Sequence, residues 1–384
     1  MSSTDIDVMY WMGFLIGLLG FFTSILIASV IHNGFRRPEK ITGVTQAQQV
    51  IERKNEIRRL TGQILTGQSA AIVSVFEDDR TKILGHLDDP SNNEELYGEH
   101  ANGLIFSKLD INSFLLENGK DKCESYQFWE QALKPLENKI ETDSSLDKIY
   151  QTCKKNQFDK FYLDSLITQL KPEGLRLVLM LDRFDELLNS NLDKPIFFAT
   201  LRELASSRNP SSLSLIISGD ISLKQFHEET KNEGSPFLNF MESCEITLRS
   251  LSDNEVDILL REEDFSKKER QFIKEITGGH VYFIQLAISA LKDAKENKES
   301  LEVARKEFCT KVETYIINSL NSKVYQTIIT IANGEKVPDS LNDEIDLLKK
   351  QGLVKKDNDN NWQVSPSILV DCIGNKTEQE LCNS

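Results

Sequence analysis

Gly174-Leu-Arg-Leu-Val-Leu-Met-Leu-Asp182-Arg-Phe-Asp185-Glu186-Leu-Leu188 decides the fold class. Leu177 to Leu181 is an unbroken apolar run that ends abruptly in acid. A strand with one wet face alternates apolar and polar residues. A strand buried on both faces is apolar throughout, as in a parallel sheet covered by helices. The acids then emerge at the strand's carboxyl end, where open α/β sheets bind their ligands.

The same pattern repeats on either side. Ala70 to Phe76 and Leu104 to Leu109 read as strands, the second ending at Asp110, and Leu213 to Ile217 as another, ending at Ser218-Gly-Asp220. Gln46 to Leu65, Tyr126 to Ile140, Phe158 to Leu170 and Phe197 to Ser206 read as helices. Such alternation implies parallel βαβ units. Thr81-Lys-Ile-Leu84 is expected to open the helix after the first strand, and Asp88 to Ala101 to be a polar loop. After Leu248 the pattern turns helical. Ser252-Asp-Asn-Glu255 is a capping box, and Thr277-Gly-Gly-His280 a helix stop followed by a new start. Val324 to Ala332 and Leu341 to Lys350 read as helices, and Gly352 to Pro366 as a hairpin with a polar tip.

At 384 residues the chain has room for more than one domain. A formal net charge of −15 argues against a general binder of nucleic acid or anionic lipid. The six cysteines lack CxxC or zinc-ligand spacing and are expected to be reduced thiols. From Val8 to Phe35 there is no Asp, Glu, Lys or Arg, which exceeds the ~20 residues that span a bilayer. Tyr10 and Trp11 suit one interface, and Arg36, Arg37 and Lys40 follow the other end. The expectation is one transmembrane helix over residues 9–35 in an inner or plasma membrane, N-terminus outside and bulk cytoplasmic.

In order and spacing these segments resemble the AAA-like ATPases of the STAND group, a signalling branch of the P-loop NTPases. Glu52-Arg53-Lys54-Asn55-Glu56 resembles the GRxxE motif at the start of such domains. Gly67-Gln-Ser-Ala-Ala-Ile-Val73 resembles the strand leading into Walker A, and Leu177 to Asp182 resembles Walker B. Leu213 to Ser218 resembles the sensor 1 strand, and Gly278-Gly-His280-Val-Tyr-Phe-Ile-Gln285 the GGHPxxxQ element of a helical lid. The resemblance spans roughly Gln49 to Asn375. It implies an α/β, P-loop NTPase-like (AAA+/STAND) parallel sheet over 49–248, a helical lid over 249–318 and a C-terminal winged helix over 319–375. A tail (1–8), the transmembrane helix and a linker (36–48) precede these, and a tail (376–384) follows. It implies ATP or ADP with Mg²⁺ as the ligand. Implied protein partners are a second copy or an intact paralogous ATPase.

The chain departs from that family where a nucleotide would touch it. Against GxxxxGK[ST] it offers Ser74-Val-Phe-Glu77-Asp78-Asp79-Arg80-Thr81. Glycines let backbone N–H groups converge on phosphate, and the lysine acts as a compact charge. Here the glycines are Ser74 and Asp79 and the lysine is Arg80. One carboxylate ~5 Å from a phosphate charge costs on the order of 3 kcal/mol at an effective dielectric of ~20, and three acids stand in this loop. Walker B has Arg183 where the family has glutamate, and the lid proline is Val281.

The resemblance places Ser74, Arg80, Thr81 and His280 around a nucleotide, and Asp182 with Thr81 on its metal. Asp185 and Glu186 are the candidates to orient water. Each also has a plainer reading. Asp182 caps the next helix or pairs with Arg80 or Arg183; Thr81 is an N-cap; His280 is a polar residue at a helix junction. Arg183 belongs to the helix surface or partners Asp79, and the two loops pair with each other. The expected function is a membrane-anchored pseudo-ATPase that regulates or scaffolds through protein contacts. The alternatives are a divergent, active Mg-ATPase and a membrane-tethered winged-helix DNA-binding regulator. Against DNA, Pro338 to Asp371 carries seven acids and four lysines.

Overall fold

The computed structural model describes residues 53–120, 122–192, 194–206, 212–230 and 240–373. The span expected at 9–35 lies outside them. Among the described residues no helix is long and apolar enough to cross a membrane.

Five strands form one parallel sheet: β1 (Ala70–Val73), β2 (Leu104–Asp110), β3 (Arg176–Asp182), β4 (Leu213–Gly219) and β5 (Glu245–Thr247), in the order β2-β3-β4-β1-β5. The apolar run of β3 is divided between two cores. Leu177, Leu179 and Leu181 face one, and Val178 and Met180 the other. In β4, Leu213, Leu215 and Ile217 oppose Ile216 in the same way. Helices α1 (Lys54–Thr66), α2 (Glu77–Asp88) and α3 (Asn93–Tyr97) cover the Val178 face with Leu60, Ile64, Ile83, Leu84 and Tyr97. On the other face lie α4 (Ile111–Asn118), α5 (Ser125–Ala132), α6 (Lys134–Lys139), α7 (Ser145–Lys155), α8 (Lys160–Leu170) and α9 (Lys194–Ser206). Their fully buried side chains include Phe114, Phe128, Trp129, Tyr150 and Phe197. This double cover is what keeps both side-chain sets of β3 apolar.

The pairing aligns the strand ends. Asp110 lies opposite Asp182, Leu181 opposite Ile217, and Val73 opposite Gly219. The polar residues that close these strands therefore share one edge of the sheet.

Helix α10 (Leu223–Thr230) follows β4. After β5 come α11 (Asp253–Leu259), α12 (Lys267–Thr277), α13 (Val281–Glu296) and α14 (Leu301–Ser319). The capping box at Ser252 and Glu255 is present. Gly278 ends α12 in a left-handed conformation, and His280 precedes α13. The chain continues through α15 (Ser322–Ala332), α16 (Asn342–Gln351), an antiparallel pair β6 (Val354–Lys356) and β7 (Trp362–Val364), and α17 (Ile368–Ile373).

Several expectations are corrected. Strand β1 stops at Val73 rather than Phe76, and α2 begins at Glu77 rather than Thr81. Glu77, Asp78 and Asp79 occupy its first turn, where carboxylates are favoured by the helix dipole, and no glycine interrupts them. The single helix expected over 126–140 breaks into α5 and α6 because Pro135 cannot continue it. The loop expected over 88–101 contains α3. Cys309 and Cys372 are disulfide-bonded, not free, because α14 and α17 bring their Cα atoms within 4.4 Å.

Candidate functional site

A Walker-type phosphate loop needs backbone N–H groups left free between a strand and a helix. Only Ser74, Val75 and Phe76 separate β1 from α2 here. Each of their N–H groups is taken: Ser74 donates to the Gly219 carbonyl (3.1 Å), Val75 to Gln351 Oε1 (3.3 Å) and Phe76 to Ser74 Oγ (3.1 Å). An α-helix that begins at Glu77 also directs the N–H groups of Arg80 and Thr81 to carbonyls four residues back. Arg80, standing at the lysine position, is buried, and its Nη1 donates to the Ser74 carbonyl.

Phe76 is buried against α13 and α14. Its ring lies 5.6 Å from that of His280, 5.1 Å from Phe283, 6.2 Å from Tyr282 and 6.1 Å from Tyr315. Burial drives the His280 imidazole down to about 3, opposed by a hydrogen bond to the Gly352 backbone. His280 is therefore a neutral, packed residue at the junction of α12 and α13, without a side-chain cap bond of its own. Lys82, whose ammonium is lowered by burial, donates to Gln285 Oε1 at 2.9 Å.

The second loop bonds to the first. Thr81 Oγ1 donates to Asp182 Oδ2 at 2.6 Å, and Ser218 Oγ donates to Asp182 Oδ1. The Arg183 N–H donates to Asp182 as well, at 3.1 Å. Thr81 thus lies inside α2 and is not its N-cap, which corrects one reading of it. The Asp182 carboxylate also does not pair with the Arg80 or Arg183 guanidinium. Arg183, in a left-handed conformation, sends its guanidinium to Asp110 and to Glu77 (3.3 Å). Glu77 is raised by burial, with Arg183 pulling the other way. The partner of Asp79 is Arg53 at 3.4 Å, not Arg183. Burial raises the Asp79 carboxyl, and Arg53 opposes that shift. Arg53 also donates to the Arg249 carbonyl at 2.6 Å, which ties the start of α1 to the segment after β5.

Asp185 and Glu186 lie in a 3₁₀ turn over Phe184–Asn189, and the two carboxyls part company there. Glu186 reaches Lys120 at 3.6 Å. Burial, followed by the neighbouring Asp220 carboxylate, raises Asp185 well above the usual range. Its Oδ1 crowds Gly219, where any Cβ would meet it at 2.4 Å. Asp220 in turn accepts from Asn321 Nδ2 at 2.8 Å.

Ser74, Arg80, Thr81 and Asp182 are thus brought together, His280 packs against the same turn through Phe76, and Glu186 stands apart. As placed, these residues do not fit a bound triphosphate. Its cradle would need the first turn of α2 unwound and Phe76 and Gln351 displaced. Among the described residues no group of three or more His, Cys, Asp or Glu is arranged to hold a metal ion. Sequence reasoning missed Gln351 and the Arg53–Asp79 pair. Asp79 stands in a run of three acids, so nothing in the sequence singled it out as the partner of Arg53. Gln351 lies 276 residues from Val75 and gave no signal.

No family model matches the chain, and no curated protein is similar to it at a significant level. Among solved structures, a Walker-type ATPase of Pyrococcus abyssi is similar at 14% identity and a TM-score of 0.57, over 84% of this chain and 95% of that one. The Aeropyrum pernix ORC2 protein, in ADPNP–ADP complexes, matches at 12% identity and a TM-score of 0.46, over 86% of this chain and 95% of that one. At such identity the likeness concerns the fold: this chain has the parallel-sheet architecture of the P-loop ATPases.

Proposed function

We propose that the protein is a pseudo-ATPase: a P-loop ATPase fold that does not hydrolyse ATP and acts as a regulator or scaffold through protein contacts. One observation carries this reading. Helix α2 starts at Glu77, so the Ser74, Val75 and Phe76 N–H groups are bonded within the chain and those of Arg80 and Thr81 are committed to the helix. The departures at Ser74, Asp79, Arg80 and Arg183 support it independently. Helices α15 to α17 with the β6–β7 hairpin are read as a winged helix that packs rather than binds DNA. Residues 9–35 are read as a membrane anchor with the bulk of the chain cytoplasmic. A second copy or an intact paralogous ATPase is the proposed partner. Phosphate release by the full chain in detergent with Mg-ATP tests the reading. No turnover above a blank is expected, and turnover abolished by Asp182→Ala overturns it.

A second reading, a divergent Mg-ATPase, is favoured by one feature. Thr81, Asp182 and Ser218 remain bonded together, while Arg80 Nε, Gln285 Nε2 and the Tyr315 hydroxyl nearby are buried without a partner among the described residues. In that reading the turn opens and a ligand supplies those partners. The same turnover measurement separates the two.

A further inference from the structure

The acceptor at the closed turn comes from the far end of the chain. Gln351, the last residue of α16, is 1% exposed, and its Oε1 takes the Val75 N–H at 3.3 Å. In a phosphate loop, an anionic oxygen accepts from such amides. We propose that Gln351 is a self-supplied ligand of the β1–α2 turn, so that the docked C-terminal segment, rather than a nucleotide, keeps that turn closed. This inference deepens the pseudo-ATPase reading and rests on its closed turn.

The rest of α16 is built to deliver Gln351 to that place. The Gln351 carbonyl accepts from Ser250 N–H at 3.1 Å. Gly352 follows at φ +84, and a Cβ there would meet Ser250 Oγ at 2.8 Å, so only glycine permits this approach. Phe76, in the turn itself, packs on the ring of His280. About two turns earlier, Glu344 is 2% exposed and accepts from Gln225 Nε2 at 2.9 Å. Around the rim, Lys224 pairs with Asp343 at 2.8 Å, Lys350 with Glu245 at 3.7 Å and Lys323 with Glu229 at 3.2 Å. Exposed pairs of this kind contribute little each but fix the orientation of docking. The buried carboxamide is the specific element, because withdrawing it strands the amide of Val75, 3% exposed, without an acceptor.

Amide hydrogen exchange at residue resolution on the full chain tests this. In Gln351→Met, which keeps the volume but removes the acceptor, the Val75 amide is expected to exchange about tenfold faster. Amides of β3 are expected to be unchanged, and Gln351→Glu, which retains an acceptor oxygen, to restore protection. Lys355→Ala on the exposed hairpin is the control and is expected to change nothing. If Gln351→Met does not fold, Gln351→Asn withdraws the same oxygen by one methylene and gives the same readout. Unchanged Val75 exchange in a folded variant overturns the proposal. Because that readout involves no nucleotide, ATP turnover would overturn the pseudo-ATPase reading and leave this result standing.

Discussion

Arg53 and Asp79 show how an acid in the first turn of a helix becomes part of a core. Asp79 stands where the resembled motif has its second glycine, and its buried carboxylate is held by the guanidinium of Arg53, a residue 4% exposed. Arg53→Ala strands that charge and is expected to destabilise the protein by about 3–5 kcal/mol. Replacing both members with apolar residues should cost far less, and urea midpoints for the two single variants and the double variant check it. His280 gives the pH dependence. Its folded pKa of about 3 lies below the ordinary 6.5, so its stabilising contribution is complete above 6.5 and is lost as pH falls from there toward 3. Asp79 and Asp185, both raised, act with the opposite sign and gain stability as pH falls. The urea midpoint should therefore decline less between pH 7 and pH 5 in His280→Asn than in the wild type. Equal slopes would show that His280 titrates freely.

Among the elements, β3 was legible and the start of α2 was not. Leu177 to Leu181 has no polar residue, and two cores claim alternate side chains, so its pattern admits one structure. The first turn of α2 carries three acids, which read in sequence as a damaged loop and in structure as a well-placed helix N-terminus. Family spacing placed Ser74, Arg80, Thr81 and Asp182 in one site, and they are adjacent. It could not supply their bonding, because Gln351 and Phe76 enter through tertiary packing. Phe76 packs against His280, Tyr282 and Phe283 around the start of α13 and against Tyr315 of α14. Phe76→Ala should cost about 3–5 kcal/mol, with the lid losing protection from exchange before the sheet does. Simultaneous loss in lid and sheet would mean that Phe76 has no local role.

At the scale of the whole molecule, four of the five strands and their alternation with helices were readable because each βαβ unit carries its own periodicity, whereas the three-residue β5 and helices α7 and α10 were not read. The docking of α16 on the β1–α2 turn was not, since 276 residues separate Gln351 from Val75. The net charge of −15 further predicts that any binding to duplex DNA is weak and vanishes with added salt. Tight, sequence-dependent binding would instead favour the DNA-regulator reading. The central claim is that the chain's own groups occupy the phosphate site. Equilibrium titration of the full chain with fluorescent ATP and Mg²⁺ tests it most directly. No saturable binding is expected up to about 1 mM, an affinity weaker than about 4 kcal/mol. Saturation in the micromolar range, lost in Thr81→Ala and Asp182→Ala, would contradict it.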